Sequence, residues 1–370
     1  MKKFKSAFLF PAIVVFAFVL ISWGKTGHRI ISLKTALSFN QEMSHFWDWT
    51  AYLSSHASDA DFRRASFPEQ ATNHYIDIDN YPEYQETGKI SHSNSEVTEK
   101  HGEEFVIKQG TLPWVTLSIL DSLTNCFKQN DWEKAAFFAA DLGHFVADGH
   151  MPFHITRNYD GQFSGNKGIH GRYESAMINE FQNDICYSGK PAVFIENPEH
   201  FIFNYLYKNY KYIDSILIAD NNAHELAGNN SSKIYTESLW KQTQNYTQLL
   251  FAEASLSFAS LLYTAWVNAG SPQINDAEDF LIEENEGHLF QVFYGGIFKK
   301  SANINYSFGN DSTINISVYD KSGKYIETLL ESESNLEPQH IKWQPANKKK
   351  EIYFIILKTE SIYQVKKISL

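Results

Sequence analysis

The stretch His144 to His154, HFVADGHMPFH, packs three histidines and an aspartate into eleven residues directly behind the apolar run EKAAFFAADLG. That run contains no proline or glycine before Gly143, which favours a helix. On such a helix His144 and Asp148 lie four apart, on one face, where a metal can be held between them. Pro152 limits the helix, so the chain turns there and His154 can return to the same centre from another angle. One histidine here reads as a solvated polar helix end; the cluster reads as a ligand set.

The same spacing recurs downstream. A Gly- and Asn-rich loop, RNYDGQFSGNKG, precedes IHGRYESAMINEF, in which His170 and Glu174 are again four apart on a predicted helix. Upstream, WGKTGH carries Trp23 and His28, SDADFRR carries Asp59 and Asp61 beside Arg63 and Arg64, and NHYIDID carries His74, Asp77 and Asp79. Carboxylates followed by arginines form surface ion pairs, and that reading holds for at least one of the two aspartates of SDADFRR.

At the N-terminus Lys2, Lys3 and Lys5 precede a fifteen-residue apolar run, Ala7 to Ile21, broken only by Pro11. A membrane-spanning helix needs roughly 20 apolar residues, whereas a secretory h-region takes about 7 to 15. Residues 1–22 therefore read as a signal peptide, with a short membrane anchor as the alternative. Cleavage after Ser22 exposes the α-amine of Trp23, whose pKa of about 8 lets it lose its proton to a metal. Cys126 and Cys186 are too few for a disulfide framework, although an exported pair could form one bridge.

Residues 41–56 read as an aromatic-rich amphipathic helix, 82–100 as a polar surface loop, and 101–129 and 131–150 as two helices joined at Gln129 and Asn130. The runs around 201–220 and 235–266 are helical scaffold, and 271–288 a linker. From about Phe290 short alternating runs, INISVYD and IYFIILK among them, read as strands. The expectation is an all-α catalytic domain over 23–289, followed by a small all-β sandwich-like domain over 290–370. Net charge is −11. Residues 23–290 hold 18 basic and 35 acidic side chains, or −17; such a surface lacks the basic footprint of a general polyanion binder.

Taken in order, WGKTGH, D-x-D-x-x-R, NHYIDID, HFVADGHMPFH and IHGRYE resemble the zinc-dependent phospholipase C and single-strand-specific nuclease superfamily, over Trp23 to about Trp266. The resemblance implies a helical domain holding three zinc ions. Carried over, it gives His74, His144, Asp148 and either Asp61 or Asp59 to the first ion, with Asp61 favoured. His154, His170 and Glu174 go to the second. Trp23 and His28 go to the third, with Asp148 bridging the first and third. Asp61, Asp59 and Asp148 are the residues given a catalytic part, and Asp77 or Asp79 is expected to orient His74.

The implied activity is phosphodiester or phosphomonoester hydrolysis. Glu174, the IHGRYE wording and the sixteen-residue interval from His154 to His170 resemble the phospholipases. The five-residue interval from Trp23 to His28 and the DGHMPFH form resemble the nucleases. The phospholipid reading is placed first, with single-stranded nucleic acid or a nucleotide (nuclease or 3'-nucleotidase) as the alternative substrate and an inactive zinc-binding protein as a third possibility. The C-terminal EIYFIILKTESIYQVKKISL is similar to a type IX secretion sorting domain, with Glu351 where that family has glycine. It implies contact with secretion machinery and a protein exported through the periplasm to the cell surface or beyond. No stable protein partner is indicated.

Overall fold

Helix α1 (Gly24–Thr35) is the first described element. The computed structural model describes residues 24–187, 189–273, 289–294, 301–307, 313–320, 324–332, 339–346, 352–359 and 363–370. Trp23, the signal segment and most of the expected linker lie outside the described residues.

Residues 41–56 do not form one helix. They split into a 3₁₀ turn, Gln41–Trp47, and α2 (Thr50–Ser55). Met43, Phe46 and Trp49, all buried, are three apart, which suits a 3₁₀ turn, whereas Trp49 and Leu53 are four apart, which suits an α-helix. α3 (Asp59–Ser66) follows, and the 3₁₀ turn Pro68–His74 brings His74 inward.

The expected loop 82–100 contains two short helices, α4 (Pro82–Thr87) and α5 (Asn94–His101). Both carried readable signals. Pro82 occupies the first turn of α4, and Ser93 caps α5 by accepting from Glu96 N at 3.4 Å, with a glutamate three residues on. The expected helix 101–129 is instead broken at Gly102 and Gly110, both at positive φ, into α6 (Glu103–Gln109) and α7 (Leu112–Gln129).

α8 (Trp132–Asp148) is capped by Asp131, which accepts from Lys134 N at 3.2 Å, and is buried from Ala139 to Asp148. Pro152 opens a 3₁₀ turn, Pro152–His154, and turns then run to α9 (Ile169–Gly171). Helix continues as a π segment, Arg172–Met177, and as α10 (Ile178–Phe181). α11 (Pro198–Tyr210), α12 (Ile213–Ala227) and the long α13 (Lys233–Asn268) complete the helical body. Among the described helices α13 alone is long and apolar enough to cross a membrane, but 72% of its apolar window is buried. It is a core helix, packed so closely on α8 that a Cβ at Gly143 would stand 2.6 Å from the Phe258 ring.

The helical body has two apolar clusters. One holds Phe46, Trp49, Phe127, Val146 and Phe258, the other Ile31, Ala147, Phe153, Tyr173 and Phe251. α8 and α13 contribute to both, and the inward polar groups gather at their seam by the end of α8.

The C-terminal part is all β and antiparallel. β1 (Leu289–Tyr294), which the strand reading passed over, joins β2 (Ala302–Ser307) and β5 (Gln339–Trp343) in the order β1-β2-β5. β3 (Ile314–Asp320), β4 (Tyr325–Ser332), β6 (Ile352–Lys358) and β7 (Tyr363–Ser369) pair as β4-β3-β6-β7. Strand alternation sends Tyr353, Ile355 and Leu357 into the sandwich core. It turns Phe354 and Ile356 the other way, toward a small cavity of about 70 Å³ that they line with Ile30, Leu33 and Lys34 of α1. Phe354 stacks on Trp47 with ring centroids 5.9 Å apart. Cys126 and Cys186 are both free thiols, so the bridge left open by the sequence is not formed.

Candidate metal centre

Five histidines and three carboxylates meet at the seam. Asp148, fully buried at the end of α8, lies at the middle. Its Oδ2 is 3.0 Å from His74 Nδ1 and 3.3 Å from His144 Nε2; its Oδ1 is 3.5 Å from His28 Nε2 and 3.7 Å from His154 Nδ1. Asp61 Oδ1 stands 3.7 Å from His74 Nδ1 and 3.9 Å from His144 Nε2. Beyond them His154 Nε2 and His170 Nε2 are 3.2 Å apart, and His170 Nε2 is 2.9 Å from Glu174 Oε2.

These atoms form three sets that could hold metal ions: His28, His144 and Asp148; Asp61, His74 and His144; and His154, His170 and Glu174. Asp59 is in none of them. It faces outward, half-exposed, against His56 Nδ1 at 2.7 Å, so its partner is a histidine rather than an arginine. Asp79 accepts from Thr156 Oγ1 and Arg157 N at 2.7 and 2.9 Å, which fixes the chain just after His154. Among the described contacts Asp79 makes no hydrogen bond to His74, whose Nδ1 faces Asp148.

The histidine tautomers follow from their second nitrogens. A backbone carbonyl can only accept, so a ring nitrogen bonded to one carries the proton. His144 Nδ1 donates to Ala57 O at 2.8 Å, His154 Nδ1 to His74 O at 2.5 Å and His170 Nδ1 to Tyr159 O at 2.9 Å. In the neutral ring each Nε2 then presents a lone pair to the centre. Two lone pairs at 3.2 Å and a carboxylate oxygen at 2.9 Å repel unless a positive charge lies among them. Both oxygens of Asp61 and both of Glu174 are buried without a hydrogen bond. Orphaned carboxylate oxygens beside imidazole lone pairs are the donor set that zinc takes.

Protons are the other source of positive charge. Burial alone pushes His144 down, but Asp148 and Asp61 together outweigh it and hold the ring up at about 9. Burial opposes ionisation of Asp148, yet His144 and His154 draw its carboxyl well below the usual range. Burial dominates at His74, lowered to about 4, and at Asp61, raised to about 6. Burial, then His144, lowers His28 well below its ordinary value. The cluster as a whole balances three carboxylates against cations.

Two features escaped the sequence reading. Arg63 and Arg64 are not a solvated pair. Arg63 grips buried Asp141 of α8, at 2.7 Å to each oxygen, and so fixes α3. Arg64 Nη2 is 3.4 Å from Asp61 Oδ1, and this buried nitrogen has no hydrogen-bond partner among the described residues. His150, the middle histidine of the opening motif, belongs to the core. Its Nδ1 donates to Val146 O at 2.7 Å, its ring lies 4.4 Å from that of Tyr205, and burial lowers it to about 4.

No family model and no curated protein matches the chain. Among solved structures it is similar to the alpha toxin from Clostridium absonum, at 11% identity over 94% of this chain and 97% of that one, with a TM-score of 0.43. It is similar as well to the Clostridium perfringens alpha-toxin isolated from avian strain SWCP, at 10% identity over 94% and 95%, with the same TM-score.

Proposed function

We propose that this chain is a secreted zinc-dependent phosphoesterase, acting in the manner of a phospholipase C on phospholipids. The observation that carries the reading is the convergence of His144, His154 and His170 lone pairs on buried carboxylate oxygens that lack hydrogen bonds. In this reading Asp61, His74, His144 and Asp148 hold one ion, His154, His170 and Glu174 a second, and His28 with the amine of Trp23 and Asp148 a third. α1 begins against the π segment, where a Cβ on Gly24 would be 2.8 Å from Ser175 Oγ. Zinc bound there would supply Lewis acidity toward a phosphate oxygen and toward water.

The chain's own groups do the rest. Asp61 carries two unsatisfied oxygens at the edge of the centre, one of which can accept a proton from an attacking water. Arg64 Nη2, which lies 3.4 Å from Asp61 Oδ1 and makes no hydrogen bond among the described residues, can donate to a phosphate oxygen.

The phospholipid reading rests on charge and on exposed aromatic groups. Residues 23–290 carry −17, unlike a surface that tracks a polyanion. Phe62 and Phe67 are 62% and 51% exposed on and just after the helix that carries Asp61, and Phe163 is 71% exposed on the loop that leads to His170. Exposed aromatic side chains on elements that carry or lead to site residues suit a lipid surface. Residues 1–22 act as the signal peptide and 290–370 as a sorting-like domain in the same proposal.

The test uses residues 23–370 with a native N-terminus, assayed on phosphatidylcholine, single-stranded DNA and a nucleoside monophosphate. Phosphatidylcholine is hydrolysed fastest, a chelator stops the reaction, and zinc restores it. A preference for either nucleic-acid substrate would make the chain a nuclease or nucleotidase. Full zinc content without hydrolysis of any of them would leave a zinc-binding protein only.

A further inference from the structure

The segment that returns His170 and Glu174 to His154 is a run of turns, residues 155–168, which has no regular backbone ladder to fix it. Its end is tied down by Asp220 of α12, a carboxylate 2% exposed. Asp220 accepts from Arg172 Nε at 3.2 Å and Nη2 at 2.9 Å, from Asn166 Nδ2 at 2.7 Å, and from the hydroxyl of Tyr235 on α13. Arg172 in turn donates to Lys167 O at 2.8 Å and Asn166 O at 3.2 Å, the last residues of the loop. Gly168 has φ +88°, a conformation that favours glycine, and Arg172 Nη1 would stand 2.7 Å from a Cβ there, so the guanidinium lies close over this residue.

Arg172 sits midway between His170 and Glu174 in the chain, where α9 passes into the π segment. A buried ion pair is a poor source of net stability, because desolvation offsets the attraction, but a bidentate pair fixes direction. We propose that the Asp220–Arg172 pair is a positioning device that presets His170 and Glu174 for the cation they share with His154, and that it serves this group alone. Asp61 and His144 come from α3 and α8 and have other anchors, the Arg63–Asp141 pair and Ala57 O, and His28 comes from α1. The inference rests on the zinc reading given above.

Two changes test it in residues 23–370: Asp220→Asn, and the double change Asp220→Leu with Arg172→Met, which keeps the site filled with apolar volume. Zinc affinity is measured by chelator competition, which resolves tight and weak classes. One class is expected to weaken about 10–100-fold, as outer partners of ligands do, with the others unchanged and with excess zinc restoring the rate. Amide hydrogen exchange over residues 155–177 of the metal-free protein should quicken, while α3 keeps its protection. Unchanged affinity in every class, or equal weakening of all, overturns the proposal. If the unsubstituted protein takes up no zinc, the functional reading falls with the ligand part of this one. The exchange result then judges the clamp alone, and unaltered exchange over 155–177 rejects it.

Discussion

At the scale of single residues, what makes His144, His154 and His170 fit to bind a cation is the partner of their second nitrogen. Each ring gives its Nδ1 proton to a main-chain carbonyl, and this turns Nε2 into a donor of electrons. The same reasoning separates Asp61 from Asp59, two positions apart. Asp61→Asn should lower the rate of phosphoester hydrolysis by about 10²–10⁴-fold and deplete bound zinc. Asp59→Asn breaks only an exposed pair with His56, worth about 0–1 kcal/mol, and should leave rate and zinc content near their original values. The reverse pattern in a side-by-side assay would exchange their assignments. Trp23 can give its amine to a metal only if the chain begins there. A protein that starts at Ser22 should therefore fold, lose one ion in metal analysis and hydrolyse slowly. Full metal content and rate from that start would remove Trp23 from the ligand set.

At the scale of elements, α1 serves two faces. His28 and Ile31 turn into the helical body, and Ile30, Leu33 and Lys34 turn toward the sheet. The ammonium of Lys34 is taken out of water there, and burial lowers it from 10.5 to about 8, against the pull of Cys186 and Asp320. The folded state then binds fewer protons than the unfolded state between these values, so this group adds stability as pH rises from about 8 to about 10.5. Below that window both states are protonated and the full cost of burial remains. Denaturant melts of the unsubstituted protein and Lys34→Met should diverge across the window. Whatever their offset at neutral pH, the unsubstituted protein should gain on the variant by about 1–3 kcal/mol. Parallel pH profiles would mean that Lys34 titrates in water.

At the scale of the whole molecule, every residue of the three ligand sets lies before the strands. A protein ending at residue 289 should therefore retain zinc and hydrolysis. In it the sheet no longer covers α1, so the pH-dependent gain assigned to Lys34 should disappear. Loss of specific activity in zinc-loaded, folded, truncated protein would give the sheet a part in shaping the centre, through Phe354 on Trp47 and Ile356 beside Ile30.

Most element classes and the candidate ligands were legible in the chain alone, because both rest on local pattern. Apolar periodicity marks helix and strand, and a four-residue spacing puts His144 with Asp148 and His170 with Glu174 on shared helix faces. Strand runs after Phe290 were legible for the same reason. The breaks within 41–56 and 101–129 were harder, since they depend on which neighbours each turn packs against. It took the packed helices to set Asp61 rather than Asp59 beside His74 and His144, to move His150 into the core, to give Arg63 to Asp141 and to bring Asp220 to Arg172. Those choices turn on contacts between residues far apart in the chain, 78 positions for Arg63 to Asp141 and 107 for His150 to Ser257. Such contacts are set by how helices pack, and a buried charge takes whichever partner that packing leaves within reach.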